Sequence, residues 1–338
     1  MIPQISVIMP VFNGGEFLQE SINSILNQTF ANFEFLIGDD GSTDNSWQIL
    51  SAQKDSRIRL FRFDHNIGYA LVLNRLIDAS KGELIARQDS DDISLPDRFK
   101  KQVEFLEKNP EVGLCGTNVK FFGSTKKILL RPVHDEEIRA FMLINNPITH
   151  PTVLFRKSVL SICDQKRYVQ ALVPAEDYAM WYEFSKKTKL ANLPQRLFKY
   201  RWHTNNISVT NRDDQLRKTD YLRKDIFKQT LSYELTDEES QLINSVFTAR
   251  EKDKKNLVIL ESLLLKLVGK NRDTGYYQET ALQNLFFHLW MAACLKTSQI
   301  PIYLKFRLFF TSDLFVIRGL VNYISWRNLS TSIYNRLH

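Results

Sequence analysis

Four times before residue 93, a short apolar run rich in β-branched residues ends in a polar loop. Ile5–Met9 stops at Pro10 and turns through Asn13-Gly14-Gly15. Phe33–Ile37 runs into Gly38-Asp39-Asp40-Gly41-Ser42-Thr43-Asp44. Ile58–Phe63 alternates and ends in His65-Asn66-Ile67-Gly68. Glu83–Ala86 delivers Arg87-Gln88-Asp89-Ser90-Asp91-Asp92-Ile93. Between these runs apolar residues recur at helical spacing: Phe17, Leu18, Ile22, Ile25 and Leu26; then Trp47–Leu50, with Asp44 or Ser42 as its cap; then Leu71, Leu73, Leu76 and Ile77, stopped at Lys81-Gly82. Strand, loop and helix in repetition predict parallel βαβ units with right-handed crossovers. In such sheets ligands bind beyond the carboxyl ends of the strands. The four polar loops therefore converge on one sheet edge.

The last of those loops is the most demanding. Three carboxylates in four residues repel one another, which a chain tolerates on a solvated turn or around a cation. A lone Asp-x-Asp reads as the solvated turn. At a fourth parallel strand end, on the edge shared with Asp40, it reads as a cation anchor.

Further along, Pro96-Asp97 opens a helix through Phe99, Val103, Phe105 and Leu106. Val112–Phe122 reads as strand, Arg139–Ile144 as a short helix, Asn146–Pro151 as a proline-bounded loop and Thr152–Phe155 as strand. Val173-Pro174-Ala175-Glu176-Asp177 leads into a helix, and Leu197–Trp202 is a strand ending at His203. After Asp213 the pattern becomes helical, with apolar helices at 257–268 and 280–295 and an apolar, basic stretch at 302–326. The expected organisation is α/β: a mainly parallel, helix-flanked domain over 1–212, in halves of about 1–100 and 101–212, then a helical region over 213–338.

Charge and cysteines narrow the setting. The chain carries a net charge of +7. After Glu279 its one acid is Asp313, against Lys296, Lys305, Arg307, Arg318, Arg327 and Arg336. A basic, aromatic tail attracts nucleic acid or an anionic membrane face. Cys115, Cys163 and Cys294 are far apart, which predicts free thiols in a reducing compartment. The N-terminus reads as a strand and not as a signal peptide, and no apolar run is long enough to cross a bilayer.

The ordered motifs resemble the family 2 glycosyltransferases of the GT-A fold. They are Pro10-Val11-Phe12-Asn13, Gln28-Thr29-Phe30, Asp39–Asp44, Leu73-Asn74-Arg75, Asp89–Phe99, His150-Pro151-Thr152, Ala175-Glu176-Asp177-Tyr178 and Tyr200-Arg201-Trp202-His203. The resemblance covers about residues 4–210. It implies a nucleotide-sugar site at Pro10, Phe12, Asn13, Asp40, Asn66, Asp89 and Ser90. Asp40 would accept the N3–H of a uracil ring and Phe12 would stack on the base, or else lie in the core. Asp91 would ligate Mn²⁺ or Mg²⁺ on the diphosphate, with Asp89 as ribose or metal-side partner. Asp92 either joins them or caps the next turn. His203 reaches the metal or diphosphate, or is structural. Asp177 would be the general base, with Glu176 and His150 on the acceptor side or holding a loop. Arg98 contacts phosphate or pairs with an Asp. Leu73 and Leu76 stand where many relatives carry Arg and Gly, leaving Arg75 or Arg87 to meet the diphosphate.

The implied reaction is inverting sugar transfer from a nucleotide donor, with UDP as its nucleotide, to a hydroxyl of a saccharide acceptor. By the same analogy the acceptor is lipid-linked, and the setting is O-antigen, capsule or exopolysaccharide synthesis. The enzyme would be cytoplasmic, peripheral at the inner membrane face, with no nucleic-acid partner. Whether 302–326 lies on the membrane, docks on the domain or forms a homodimer contact is open. A nucleotidyltransferase would carry a basic residue in the first loop, and Pro10–Gly15 has none. A sugar- or nucleotide-binding protein without catalysis would have no need of Asp91 and Asp177 together.

Overall fold

The computed structural model describes residues 2–163, 167–204, 206–247 and 254–296. The expected parallel units are present: β1 (Ile5–Val11), α1 (Leu18–Leu26), β2 (Phe33–Asp39), α2 (Ser46–Ser51), β3 (Ile58–Arg62), α3 (Tyr69–Ala79) and β4 (Leu84–Arg87). β1 pairs in parallel with both β2 and β4, and β2 with β3. Every residue of β1, β2 and β4 is buried, as strands covered on both faces must be. α1 turns Leu18, Ile22 and Ile25 onto the core that holds Val7, Met9, Phe35 and Ile37.

Beyond β4 the strand directions mix. β5 (Ile93–Ser94), α4 (Arg98–Lys108), β6 (Val112–Gly123) and β7 (Ile128–Leu129) come next. They are followed by α5 (Asp135–Phe141), β8 (Leu154–Arg156), α6 (Ser158–Ile162), α7 (Glu176–Ser185) and β9 (Lys189–Trp202). The sheet order is β3-β2-β1-β4-β8-β6-β9-β5, with β7 off that path. β8 is antiparallel to β4 and β6, while β6 and β9 are parallel. β9 is much longer than the expected Leu197–Trp202. It tolerates Pro194 because the register shifts there: Thr117 pairs Leu193 and Asn118 pairs Arg196. Asn118 Nδ2 donates to the Pro194 carbonyl at 2.8 Å, filling the irregularity. Asn118 is thereby a sheet residue.

The chain forms two compact units, 1–128 with 148–218, and 129–147 with 219–338. The division is therefore not the contiguous 1–212 and 213–338: segment 129–147 belongs with the C-terminal helices. Those are most of α9 (Arg212–Leu231, which follows the short α8, Ile207–Thr210), then α10 (Asp237–Phe247), α11 (Lys254–Thr274) and α12 (Glu279–Lys296). The physical reason is that α12 is buried nearly all round, through Leu282, Leu285, Phe286, Leu289 and Trp290. It packs on α5, α10 and α11. Both apolar helices are thus core helices. Among the described residues no helix is long and apolar enough to cross a membrane. The basic stretch 302–326 lies outside the described residues. All three cysteines are buried.

Candidate active site

The loop after β1 and the loop after β2 are stitched together. Asn13, at φ 50°, accepts the Thr43 N–H at 2.8 Å through Oδ1, and its own N–H donates to Ser42 Oγ at 3.0 Å. Gly14 N–H donates to Ser46 Oγ and Gly15 N–H to Asp44 Oδ2. Asn45 is the cap residue of α2, in place of the expected Asp44 or Ser42, while Asp44, one residue earlier, accepts the first N–H of the helix, that of Ser46, at 2.9 Å. Gly41 is at φ 69°, and a Cβ there would come within 2.6 Å of the His65 backbone, so only glycine lets the two loops meet. Asp40 is buried and accepts the N–H groups of Ile67 and Gly68 at 2.7 and 3.0 Å. Each of its oxygens keeps a second lone pair. Phe12 is 49% exposed, which removes the core alternative and leaves an aromatic face at the strand end. Asn66 is exposed on the third loop and Pro10 is buried within β1.

The acidic turn is suspended from a polar frame. Gln88 is fully buried, and its amide donates to Ser21 Oγ, Asp89 O and Asp92 O. Arg98 is also fully buried. It donates to Gln102, Gln88, Ser94 and the carbonyls of Arg87 and Val153. It neither pairs with an Asp nor lies open to a phosphate, so both sequence readings of Arg98 are corrected. At i and i+4 on α4, Arg98 and Gln102 share the buried face, and the unpaired carbonyls there need donors.

On this frame Asp89, Asp91 and Asp92 place an oxygen each within 4.8 Å of one another. Arg87 is buried and ion-paired with Asp89. Arg75 is exposed, so of the two arginines Arg87 is the one at the acidic turn. His203 Nε2 lies 2.9 Å from Asp91 Oδ2 and the Asn206 amide 3.5 Å from the same oxygen. Burial and the Asp89 charge push the Asp91 carboxyl up. Burial and the charges of Asp91 and Asp89 push Asp92 well up. Asp92 Oδ1 accepts the Arg201 N–H at 2.7 Å, tying β9 to the turn, and its Oδ2 is buried without a hydrogen-bond partner. Asp92 therefore ties β9 to the acidic turn, and its Oδ1 is not spent on capping the turn that follows. An all-carboxylate oxygen set with an adjacent imidazole and an unpartnered buried oxygen fits a hard divalent cation. Ser90 is half-buried, with its Oγ against Gly14.

A second carboxylate pair opens α7. Glu176 is buried, and Asp177 Oδ1 accepts the N–H of Tyr178 at 2.7 Å. His150, on a 3-10 turn over His150–Thr152, sets Nδ1 at 3.4 Å from Glu176 Oε1 and 3.9 Å from Asp177 Oδ2. Burial and the Arg87 charge hold the imidazole well below its usual range. Tyr168 packs on His150 with ring centroids 5.1 Å apart, and its backbone is clamped by both ends of the Asn74 amide. His150 is thus brought to both acids.

Sequence reasoning missed Gln88, Arg201, Tyr69 and Tyr168. Arg201 lies between the rings of Phe17 and Phe122, pairs with Glu20 and donates to Asp91 O at 2.8 Å. Its signal was the Tyr200-Arg201-Trp202-His203 motif itself, in which the histidine alone drew notice.

The family described as "Glycosyl transferase family 2" matches residues 6–163. An uncharacterized glycosyltransferase of Haemophilus influenzae is 33% identical over 283 residues, 78% of this chain and 85% of that protein. The O-antigen biosynthesis glycosyltransferase WbnJ of Escherichia coli is 32% identical over 215 residues, 60% of this chain and 81% of its own. The chain belongs to glycosyl transferase family 2. In fold it is similar to S. aureus TarS 1–349 in complex with UDP-GlcNAc, with a TM-score of 0.56, 18% identity and 86% and 87% of the two chains covered. The mannosyltransferase PcManGT from Pyrobaculum calidifontis, in complex with GDP-Man and Mn2+, has a TM-score of 0.52 at 14% identity, covering 99% and 85%.

Proposed function

We propose that this glycosyltransferase moves a sugar from a UDP-sugar to a hydroxyl of a saccharide acceptor, with inversion. The observation that carries the reading is the acidic triad on the edge of β4, with His203 Nε2 2.9 Å from Asp91. Asp91 and His203 would hold Mn²⁺ or Mg²⁺, with Asp89 beside them. A cation bound there supplies charge neutralisation to a departing nucleoside diphosphate. Phe12 stacks on the base, Asp40 offers a lone pair to its edge, and Asn13, Asn66 and Ser90 line the loops between. Asp177 takes the acceptor hydroxyl proton. The acceptor oxygen forms its bond to the anomeric carbon as the bond from that carbon to the diphosphate oxygen breaks, and the electron pair leaves with the diphosphate.

Support for the donor comes from TarS, which was solved with UDP-GlcNAc, and support for the cation from the mannosyltransferase solved with Mn2+. Support for the pathway class comes from WbnJ and from the amylovoran biosynthesis glycosyltransferase AmsE of Erwinia amylovora, 31% identical over 204 residues. In this reading the acceptor is lipid-linked. The basic segment 302–326 would then rest on the inner membrane face, with a homodimer contact as its second use and no nucleic-acid partner. The test is a screen of UDP-, GDP- and dTDP-sugars against a lipid-linked saccharide, with and without manganese. The expected result is manganese-stimulated transfer from a UDP-sugar. Transfer from GDP- or dTDP-sugars alone would overturn the donor, and equal rates after chelation would overturn the cation.

A further inference from the structure

Two adjacent acids open α7, and one base suffices for the transfer proposed above. Glu176 is only 2% exposed. Its Oε1 faces His150 Nδ1 at 3.4 Å, longer than the about 2.7–2.9 Å of a charge-assisted bond. Its Oε2 is buried without a hydrogen-bond partner. An ionised carboxylate with one oxygen unpaired costs several kcal/mol in such a place, and a neutral carboxyl far less. Burial and the charge of Asp177, beside it on α7, favour the neutral form and outweigh the Tyr69 hydroxyl on α3, bonded to the Glu176 carboxyl, and the Arg87 cation at the end of β4. Neutral His150 and Tyr168 also face it. His150 Nε2 and the Tyr168 hydroxyl are likewise buried without partners. With Nδ1–H turned to the carboxyls, Nε2 carries a bare lone pair.

Resting on the assignment of Asp177 as base, we propose that Glu176 is a positioning residue working as a neutral acid. Its Oε2–H donates to a sugar hydroxyl, and His150 Nε2 accepts from one. The pair thus fixes the saccharide while Asp177 alone receives the proton. Burial and the neighbouring Asp177 push the Glu176 carboxyl up to about 8, so the working form is lost as pH rises through that value. The sign for stability is the same. The folded state keeps a proton that the unfolded chain releases above its ordinary carboxylate range. Stability contributed at Glu176 therefore falls as pH rises from there to about 8.

The experiment compares Glu176→Ala and Glu176→Gln with wild type in kcat, KM and melting temperature across pH. Glu176→Ala is expected to lower kcat about tenfold at pH 7. Glu176→Gln keeps an N–H donor and a carbonyl where the neutral acid has O–H and C=O. It restores most of that loss and removes the wild-type fall in kcat above pH 8. It also melts above wild type by a margin that widens from pH 5 to pH 8. A Gln variant as weak as the Ala variant, one that retains the alkaline fall, or a melting margin that narrows would overturn the proposal. Asp177→Asn reads the underlying assignment separately: unimpaired turnover there removes the base, whatever the Glu176 variants do.

Discussion

The acidic turn after β4 and the carboxylate pair at the start of α7 look alike in the sequence, and they are built for different tasks. The turn gathers Asp89, Asp91 and Asp92 within 4.8 Å and rings them with Arg87, His203 and Arg201. Its polar frame, Gln88 and Arg98, touches backbone and amide oxygens and leaves the carboxylates to face one another. The pair on α7 has no such ring: Glu176 faces a neutral histidine and two phenols. Concentrated negative charge is satisfied by a cation, whereas isolated burial is satisfied by a proton. Under the proposed function the first region would hold a metal and a diphosphate, and the second would manage the acceptor and its proton.

Mutations separate the two regions. Asp177→Asn has the largest expected effect, a loss of about a thousandfold in kcat with UDP binding intact, because a missing general base typically costs 10²–10⁴. Single-turnover transfer checks it. Asp91→Ala comes next, with about a hundredfold loss of kcat/KM as the diphosphate loses its counter-charge. Unlike the first variant it should no longer respond to manganese, which a metal titration of the rate reads out. Phe12→Ala is the smallest. Stacking on a base is worth about 1–3 kcal/mol, so the donor KM should rise about tenfold with kcat little changed.

The first half of the fold was legible because burial on both faces leaves continuous apolar runs, and helices between them keep their own period. Beyond β4 the directions of β8, β6 and β9 follow from long-range pairing that no local pattern records. Pro194 hid the first half of β9, since a proline within a strand demotes it unless a register shift takes it up. Segment 129–147 joins the C-terminal helices through packing on α12, which its sequence does not announce. At the site, the motif positions placed Asp91, Asp177 and His150 among interacting groups. Arg98 misled because a conspicuous charge suggests a ligand or an acid, while its partners are five uncharged groups. Gln88 was hidden among the acids it supports.

The division between the two regions is tested most directly by calorimetric titration of UDP, with and without manganese, into Asp91→Ala and Asp177→Asn. The expected result is that manganese tightens UDP binding to Asp177→Asn as it does to wild type and has no effect on Asp91→Ala. Manganese-dependent binding retained by Asp91→Ala, or lost in Asp177→Asn, would contradict it.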